Sequence, residues 1–392
     1  MQATSTSSSL SSPSATRTVA AIALACTLSA ISGASRAQGS ITLYGVLDAG
    51  MTYVSNTGGA YVTKFDDGVS YGNRWGIKGR ENLGAGLDAV FVLESGFRLG
   101  NGQLGFGGAQ FGRQAYVGVH GAWGTLSFGN QLDMTNEMVT SYNVSGWASG
   151  YAIHQGDFDR FNGDRLPNAL KYLSDEMAGL KLGAMFSFGG MAGDFHRYSA
   201  YSFGAHYANG PFTLGAAYTQ LNQPHGIYAF DPYAMLGTRT FLGQATVNVD
   251  PVSGTLTDLY ARQPFALERQ ATFGIGSSYA LGNVTLMGNF TYTTLNAFGV
   301  ASVMKVLEGG ANWQITAALS AIGGYQYSRF EGHHWNQVSF GIHYLLSKRT
   351  DIYLSSDYLK ATQGVNAVIG YSFAPSSTPS QANVRVGMRH SF

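Results

Sequence analysis

The sequence has few charged residues, a single cysteine and no long apolar run. Charged residues make up 11% of the chain, whereas soluble domains average roughly 25%, so a soluble protein of this composition could hardly cover its surface. Cys26 is the sole cysteine, which excludes a disulfide framework and a cysteine metal site. No window holds the ~18 consecutive apolar residues of a transmembrane helix. The formal net charge of +1 gives no reason to expect a nucleic-acid partner.

Glycine and aromatic residues are abundant instead, with 53 Gly, 23 Tyr and 23 Phe among 392 residues. A transmembrane β-barrel tolerates this mixture, because each strand shows lipid an apolar face and shows water a polar one. A secreted β-sandwich is the soluble alternative, and the low charge content counts against it. Composition therefore favours an outer-membrane barrel.

The N-terminus carries the features of an export signal. The apolar stretch Val19–Ile31 has the length of a signal-peptide core, and the small residues Ser35 and Ala37 follow it at cleavage-site spacing. We expect cleavage after Ala37, so that residues 1–37 are a signal peptide and residues 38–392 the mature barrel domain. A lipid-anchored Cys26 is the competing interpretation, but the residues before it match that motif poorly.

Alternating segments of roughly ten residues, the length of a tilted membrane-crossing strand, follow from Ile41 to the C-terminus. Sixteen strands are predicted, at 41–54, 71–80, 88–97, 113–120, 125–130, 168–174, 180–188, 197–207, 212–222, 268–281, 284–295, 304–315, 319–330, 336–346, 350–361 and 383–392. Short and mostly longer connectors alternate between them, as in outer-membrane barrels. Such a barrel is wide enough to leave an aqueous channel.

The connector 131–167 is the longest interruption before the middle of the chain. It has no sustained helical period, yet it carries several carboxylates, arginines and aromatic rings. A connector of this length without regular structure is usually functional. We expect it to fold into the lumen, where it would narrow a water-filled hole. A second long polar segment, 222–267, is predicted to be an external loop with room for a local strand at 240–249.

Four stretches carry a resemblance to a known family: SITLYGVLDAG at 40–50, NRWGIKGRENLGAGLDAVFVLESGF at 73–97, GRQAYVGVHGAWGTLSFGNQ at 112–131 and VGMRHSF at 386–392. With them, the chain resembles a trimeric general porin of the Gram-negative outer membrane, of the β-proteobacterial type. The resemblance implies an all-β, 16-stranded antiparallel barrel with its third external loop inside the lumen. It also implies a homotrimer, embedded in outer-membrane lipid and lipopolysaccharide, that passes ions and small hydrophilic solutes without enzymatic activity or a cofactor.

The resemblance also points to residues of a pore constriction. It places an arginine cluster on the barrel wall, and the predicted constriction set is Arg74, Lys78, Arg80, Arg113 and Arg165 facing Asp133, Glu137 and Asp157. The alternative is a structural role, in which the same residues pin the loop by salt bridges. The loop tip reads NVSGWASG at 143–150, without the acidic stretch of enteric porins. We therefore expect a weak preference for anions.

The last residue is predicted to be an assembly signal. Phe392 follows Val384, Val386 and Met388, which alternate toward the expected lipid face. The family resemblance implies that the barrel-assembly machinery reads this terminal aromatic residue. Arg385 and Arg389 lie on the same strand with inward parity.

Other motifs are weak. Residues 68–72 match a nucleophile elbow and residues 100–105 a dinucleotide fingerprint, but neither has the strand-to-helix context that these functions need. His333 and His334 lack a third metal ligand. A barrel enzyme such as a phospholipase would need a serine partner for a strand histidine such as His206 or His343, and none is evident. A substrate-specific channel, with aromatic tracks in the lumen, remains the main alternative to a general porin.

Overall fold

The computed structural model describes residues 39–224 and 230–392. The predicted signal peptide, residues 1–37, therefore lies outside the described residues. A single antiparallel sheet of seventeen strands dominates the described chain. No helix in residues 39–224 or 230–392 is long and apolar enough to cross a membrane.

The first half of the sheet contains β1 (Ser40–Thr57), β2 (Ala60–Asp67), β3 (Arg74–Gly84), β4 (Leu87–Gly96), β5 (Gln114–Gly121), β6 (Gly124–Leu132), β7 (Arg165–Leu173), β8 (Leu180–Ser187), β9 (Ala200–Asn209) and β10 (Phe212–Asn222). Outside it lie two small hairpins, formed by β11 (Thr240–Phe241) with β12 (Gln244–Ala245) and by β13 (Val247–Val249) with β14 (Leu256–Asp258). The second half contains β15 (Arg269–Leu281), β16 (Val284–Ala297), β17 (Val300–Gln314), β18 (Leu319–Phe330), β19 (His333–Ser347), β20 (Thr350–Ala361) and β21 (Ser380–Ser391). The described part of the chain has three short α-helices, namely α1 (Met134–Met138), α2 (Val144–Ala148) and α3 (Pro232–Leu236).

The sheet closes on itself through β1. One edge of β1 pairs with β21, and the other pairs with β3 along residues 40–46 and with β2 along residues 49–57. Because β2 and β3 share one position beside β1, the seventeen strands make a closed barrel of sixteen positions. The predicted barrel is confirmed. The segment left between the first two predicted strands, 55–70, is not a loop throughout, since it contains β2.

Two connectors are shorter than the sequence suggested. The segments left between predicted strands at 296–303 and 331–335 contain only two-residue turns, at 298–299 and 331–332. Phe298 and Gly299 have φ values of 53° and 75°, and two successive positive φ angles match the tight turn whose twist fits a β-hairpin. The strands β16 to β19 are correspondingly long. The segment 240–249 forms the short strands β11, β12 and β13 rather than one local strand.

Along each strand, successive side chains alternate between the outer and the inner face of the barrel. Large apolar side chains point outward and are exposed, for example Met51, Val117, Phe128, Phe203, Leu307, Phe340 and Val386. Their neighbours point inward and are polar, for example Thr52, Ser127, Ser202, Glu308, Ser339 and Arg385. This is the pattern of a barrel with a lipid-facing exterior and a polar interior.

The inner face is not polar along its whole height. Near the long-loop end, inward residues such as Met304, Phe330 and Trp335 are buried in an apolar cluster with Phe241 and Ile369 from the external connectors. The segments 230–268 and 362–379 thus fold over this side of the barrel. Inward side chains at this height can be apolar because the loops cover them and keep them away from the water of the lumen.

Candidate pore constriction

The connector 133–164, hereafter the insertion, follows the inner wall of the barrel. Asp133 caps α1 by accepting a hydrogen bond from the backbone N–H of Asn136 at 3.0 Å. The helix α1 contacts β8, β9 and β10, the short turn Thr140–Tyr142 contacts β15 and β16, and α2 contacts β17, β18 and β19. The insertion therefore lines one side of the interior and leaves the side beside β4 to β6 open.

Glycines on the inner faces of these strands make room for the insertion. A Cβ atom at Gly215 would lie 1.8 Å from the carbonyl oxygen of Met138, and one at Gly341 would lie 2.1 Å from that of Ala148. Other inward glycines in close contact with the insertion are Gly183, Gly204, Gly276, Gly310 and Gly324. Any larger residue would push the insertion away from the wall, so these glycines permit the close approach of the insertion.

Buried polar contacts anchor the insertion at several points. The carboxylate of Glu308 on β17 accepts from the backbone N–H of Ser145 at 2.6 Å and contacts Nε2 of His154 at 3.2 Å. Nδ1 of His154 lies 2.5 Å from the carboxylate of Asp159. Across the barrel, the hydroxyl of Tyr151 lies 2.8 Å from that of Thr52 on β1. Since buried polar groups lose stability when left unpaired, these bonds hold the insertion in one place.

An open cleft of about 980 Å³ lies between the insertion and the wall. It is lined by the ranges 67–73, 96–98 and 105–113, and by parts of β6, β7 and the insertion. A smaller cavity of about 160 Å³ lies toward the short-turn end and contains Trp147 and Arg389. Both cavities share Ser70, Tyr71 and Gly146 in their lining. The two cavities therefore adjoin at these residues, and the two cavities with their walls are called the route below.

Three of the predicted arginines come together on the wall of this cleft. Nε of Arg113 donates to Glu94 at 2.7 Å, and Nε of Arg74 lies 3.8 Å from the same carboxylate. Arg165 donates to the backbone carbonyl of Arg113. Arg113 and Arg165 line the cleft directly. The prediction of a clustered basic wall at Arg74, Arg113 and Arg165 agrees with this geometry.

Two other predicted wall residues lie elsewhere. Arg80 is at the short-turn end of β3, where its side chain is 56% exposed and pairs with Asp88 at 2.5 Å. The ammonium group of Lys78 lies 5.5 Å from the centre of the Tyr44 ring. Neither residue lines the cleft beside Arg113. Periodicity placed both on the correct face but could not give their height along the barrel.

The predicted carboxylates do not face the arginine cluster. Asp133 pairs with Arg160 inside the insertion, and Glu137 pairs with Lys171 of β7 at 2.5 Å. Asp157 is buried and accepts from the backbone N–H of Asn162 at 3.0 Å. Burial and the neighbouring Asp164 raise the pKa of Asp157 well above its usual range, which reduces its negative charge. The expected pairing of these carboxylates with the arginine cluster across the lumen is therefore wrong. Each carboxylate instead binds one of the other partners named above.

Several residues of the route were not predicted. Glu94 links the arginines, Phe106 lies beside them, and Tyr71 and Trp147 form an edge-on ring pair with centres 5.9 Å apart. The guanidinium of Arg389 lies 4.5 Å from the centre of the Tyr71 ring. Glu94 has inward parity on β4, next to the arginine-bearing strand β3, and this parity was a readable signal for it. Phe106 lies in a connector and follows no strand period, whereas Tyr71 was predicted as the first residue of a strand but precedes β3, which begins at Arg74.

The short motifs named in the sequence analysis lie in structural contexts that do not fit a catalytic or nucleotide-binding role. Residues 68–72 lead into β3 and not into a helix, and residues 100–105 lie in the connector between β4 and β5. Within residues 39–224 and 230–392, no group of three or more potential metal ligands is found, and Nδ1 of His334 contacts Thr362 instead. The ring of His206 stacks on Tyr142, and Nδ1 of His343 lies 3.1 Å from Asp351.

Comparison with known proteins agrees with this architecture. A model of the Gram-negative porin family matches residues 20–364. An outer membrane porin protein of Bordetella pertussis is 30% identical over 93% of this chain and 97% of its own length, and outer membrane porin protein 32 of Delftia acidovorans is 27% identical over the same shares. Among solved structures, the anion-selective porin from Comamonas acidovorans is 21% identical with a TM-score of 0.73, over 91% of this chain and all of that one.

The family match covers far more than half of the chain, and it agrees with the closed barrel and its internal route. The relatives are channels, so no enzymatic chemistry is assigned to the motifs above. The expected outer-membrane location and channel function are confirmed by the same comparisons. The chain belongs to the Gram-negative porin family and forms an outer-membrane channel for the passive diffusion of ions and small hydrophilic solutes.

Proposed function

We propose that this porin prefers small hydrophilic anions, and that its constriction lies between the insertion and the wall that carries Arg113 and Arg165. The cleft beside the insertion is lined by Arg98, Arg113 and Arg165 as basic residues and by Asp67 and Asp164 as acidic ones. Arg389 adds a basic residue to the smaller cavity further along the route. Fixed charges of one sign at a narrow point favour the entry of the opposite ion.

One observation carries the proposal: two of the carboxylates that were predicted to face the arginines have cationic partners of their own. Asp133 is matched by Arg160 and Glu137 by Lys171. These two carboxylates therefore add little negative potential to the lumen. On the wall, Arg74 and Arg113 share the single carboxylate of Glu94, so that together with Arg165 they leave an excess of positive charge beside the cleft. The relative from Comamonas acidovorans, which is named an anion-selective porin, shares this fold.

Arg74 fits a mixed role. Its side chain is 19% exposed, it approaches Glu94, and its Nη1 donates to the carbonyl of Gly72 at 3.1 Å. These contacts tie the segment before β3 to the wall, which is a structural function. The charge still lies near Arg113 and contributes to the positive potential of the cleft. Arg74 thus has mainly a structural role, whereas Arg113 and Arg165 act mainly on permeating ions.

The assembly is part of the same proposal. The mature chain begins at Gln38, lies in outer-membrane lipid and lipopolysaccharide, and forms a homotrimer with three separate pores. Its exposed apolar outer face supplies surface for both lipid and neighbouring subunits, and closed cyclic symmetry is the usual solution for such assemblies. The barrel-assembly machinery recognises the C-terminal strand that ends at Phe392.

Planar-bilayer recording tests this function. The purified protein is expected to give conductance steps in groups of three, and its zero-current potential in a dilute potassium chloride gradient should have the sign of chloride preference. The salt must be dilute, because screening at 1 M shortens the electrostatic range to roughly 3 Å. A potential with the sign of potassium preference would contradict the anion proposal, and the absence of conductance would contradict the channel itself.

A further inference from the structure

Phe106 reaches from the connector between β4 and β5 into the arginine cluster. Its ring centre lies 4.9 Å from the guanidinium carbon of Arg165 and 5.8 Å from that of Arg113. Phe106 is nevertheless 48% exposed and lines the open cleft. An aromatic ring this close to two guanidinium groups is held by cation–π attraction. The constriction wall is thus an arginine pair with an exposed apolar ring beside it.

The backbone is shaped to place this ring. A Cβ atom at Gly96, an inward position on β4, would lie 2.6 Å from the Phe106 ring, and one at Gly112 would lie 2.5 Å from the Cβ atom of Phe106. Phe106 itself has a φ of 51°, in the left-handed region that bulky residues rarely occupy. A strained aromatic residue fitted between two glycines at an open cleft indicates a function for its side chain.

The chemistry of the cleft suggests which solutes benefit. A guanidinium group has five N–H donors, so the bond from Arg113 to Glu94 leaves donors for a carboxylate in transit. A solute whose carboxylate meets Arg113 or Arg165 brings its remaining atoms beside Phe106. A flat aromatic ring gains offset or edge contacts there that a flexible alkyl chain does not. The ring of Tyr371 lines the same cleft.

We infer that Phe106 is a specificity-determining residue of the pore, and that the constriction favours aromatic carboxylates over aliphatic carboxylates of similar size and charge. This inference rests on the proposed preference for anions, to which it adds a solute class. The arginine pair selects the charge, and Phe106 selects the shape of the group that carries it.

The experiment compares permeability to benzoate and to hexanoate, measured as zero-current potentials of purified protein against potassium chloride. The wild type should pass benzoate about three times better than hexanoate, a ratio that corresponds to one modest ring contact. F106A and F106L should bring the ratio close to one, whereas F106Y should keep it. F195A removes an exposed ring from the connector 188–199 and should change nothing.

Heat-modifiable gel mobility identifies the variants that fold, and F106L keeps apolar volume if F106A does not fold. A wild-type ratio near one, or a high ratio unchanged in both F106A and F106L, would overturn the inference. The chloride-to-potassium preference is recorded in the same preparations. Absence of a chloride preference in the wild type would overturn the proposed function. A chloride preference together with a benzoate-to-hexanoate ratio near one would overturn only the role of Phe106.

Discussion

Nε of Arg160 donates to the carboxylate of Asp133 at 2.5 Å, and both side chains are fully buried. The pair joins the start of the insertion to the turn near its end. Asp133 also caps α1. The residue that sequence analysis placed across the lumen from the arginines is therefore an internal support of the insertion. The electrostatic potential that a permeating ion meets therefore depends on which charged groups form buried ion pairs and which line the cleft.

Replacement of Asp133 by Asn should destabilise the insertion more than it changes ion preference. Removing one partner leaves the buried guanidinium of Arg160 without its counter-charge, at a typical cost of about 3–5 kcal/mol. We expect a lower unfolding temperature in heat-modifiability gels and noisier single-channel currents. Glu176→Gln, in the exposed turn between β7 and β8, is the matched control. A fully stable D133N protein with a strongly shifted zero-current potential would show that Asp133 faces the lumen.

Adjacent glycines of β18 should respond differently to alanine. A Cβ atom at Gly324 would lie 2.3 Å from Oγ of Ser145 and 2.9 Å from its backbone nitrogen, whereas one at Gly323 meets nothing closer than 4.0 Å. Overpacking typically costs about 1–3 kcal/mol, so G324A should displace α2 and alter single-channel conductance. G323A should match the wild type in both stability and conductance. Equal behaviour of the two variants would contradict the account of the inward glycines.

Strand positions were predictable because the alternating pattern is strong and bounded by turn residues. The predicted ranges 212–222, 319–330 and 350–361 coincide with β10, β18 and β20. Outward and inward faces followed from the same period. Parity, however, fixes only the face and not the height, which is why Lys78 and Arg80 were assigned to the constriction with Arg74.

The insertion was predictable as an element but not in its contacts. Its length and lack of period marked it as functional, and the inward glycines of the strands offered a readable clue to its course. Its charge pairs were beyond sequence reasoning, because the partners of Asp133 and Glu137 lie 27 and 34 positions away with no intervening period. Phe106 projects from a loop and was invisible for the same reason.

Deletion of Phe392 should reduce the yield of folded trimer. Its backbone N–H donates to the carbonyl of Gly45 and its carbonyl accepts from the N–H of Gly45, each at 3.0 Å, so it completes the seam with β1. Phe392→Tyr keeps the backbone and the ring and serves as the control. Trimer yield is read from the heat-modifiable gel band. An unchanged yield after deletion would show that neither the seam nor terminal recognition needs this residue.

Packing of the external connector, in its described part 230–268, should weaken as pH rises. Burial and the nearby carboxyl of Asp258 raise the pKa of Asp231 from 3.8 to about 6. The folded connector thus holds this proton more tightly than the unfolded chain, and the linked stability is complete below pH 3.8 and lost as pH rises through about 6. Amide hydrogen exchange in 230–267, corrected for intrinsic rates, should be faster above pH 6. D231N should remove this dependence of amide exchange on pH. If the dependence persists in D231N, a group other than Asp231 causes it.

The most direct test of the central claim removes the charges that line the cleft. The double variant Arg113→Ser with Arg165→Ser is compared with the wild type and with Arg80→Ser, whose side chain lies at the short-turn end, in a dilute potassium chloride gradient. Charges a few ångströms from a passing ion act with about 1 kcal/mol or somewhat more. The account predicts a zero-current potential shifted toward cations in the double variant and unchanged in Arg80→Ser. Equal potentials in all three proteins would contradict it.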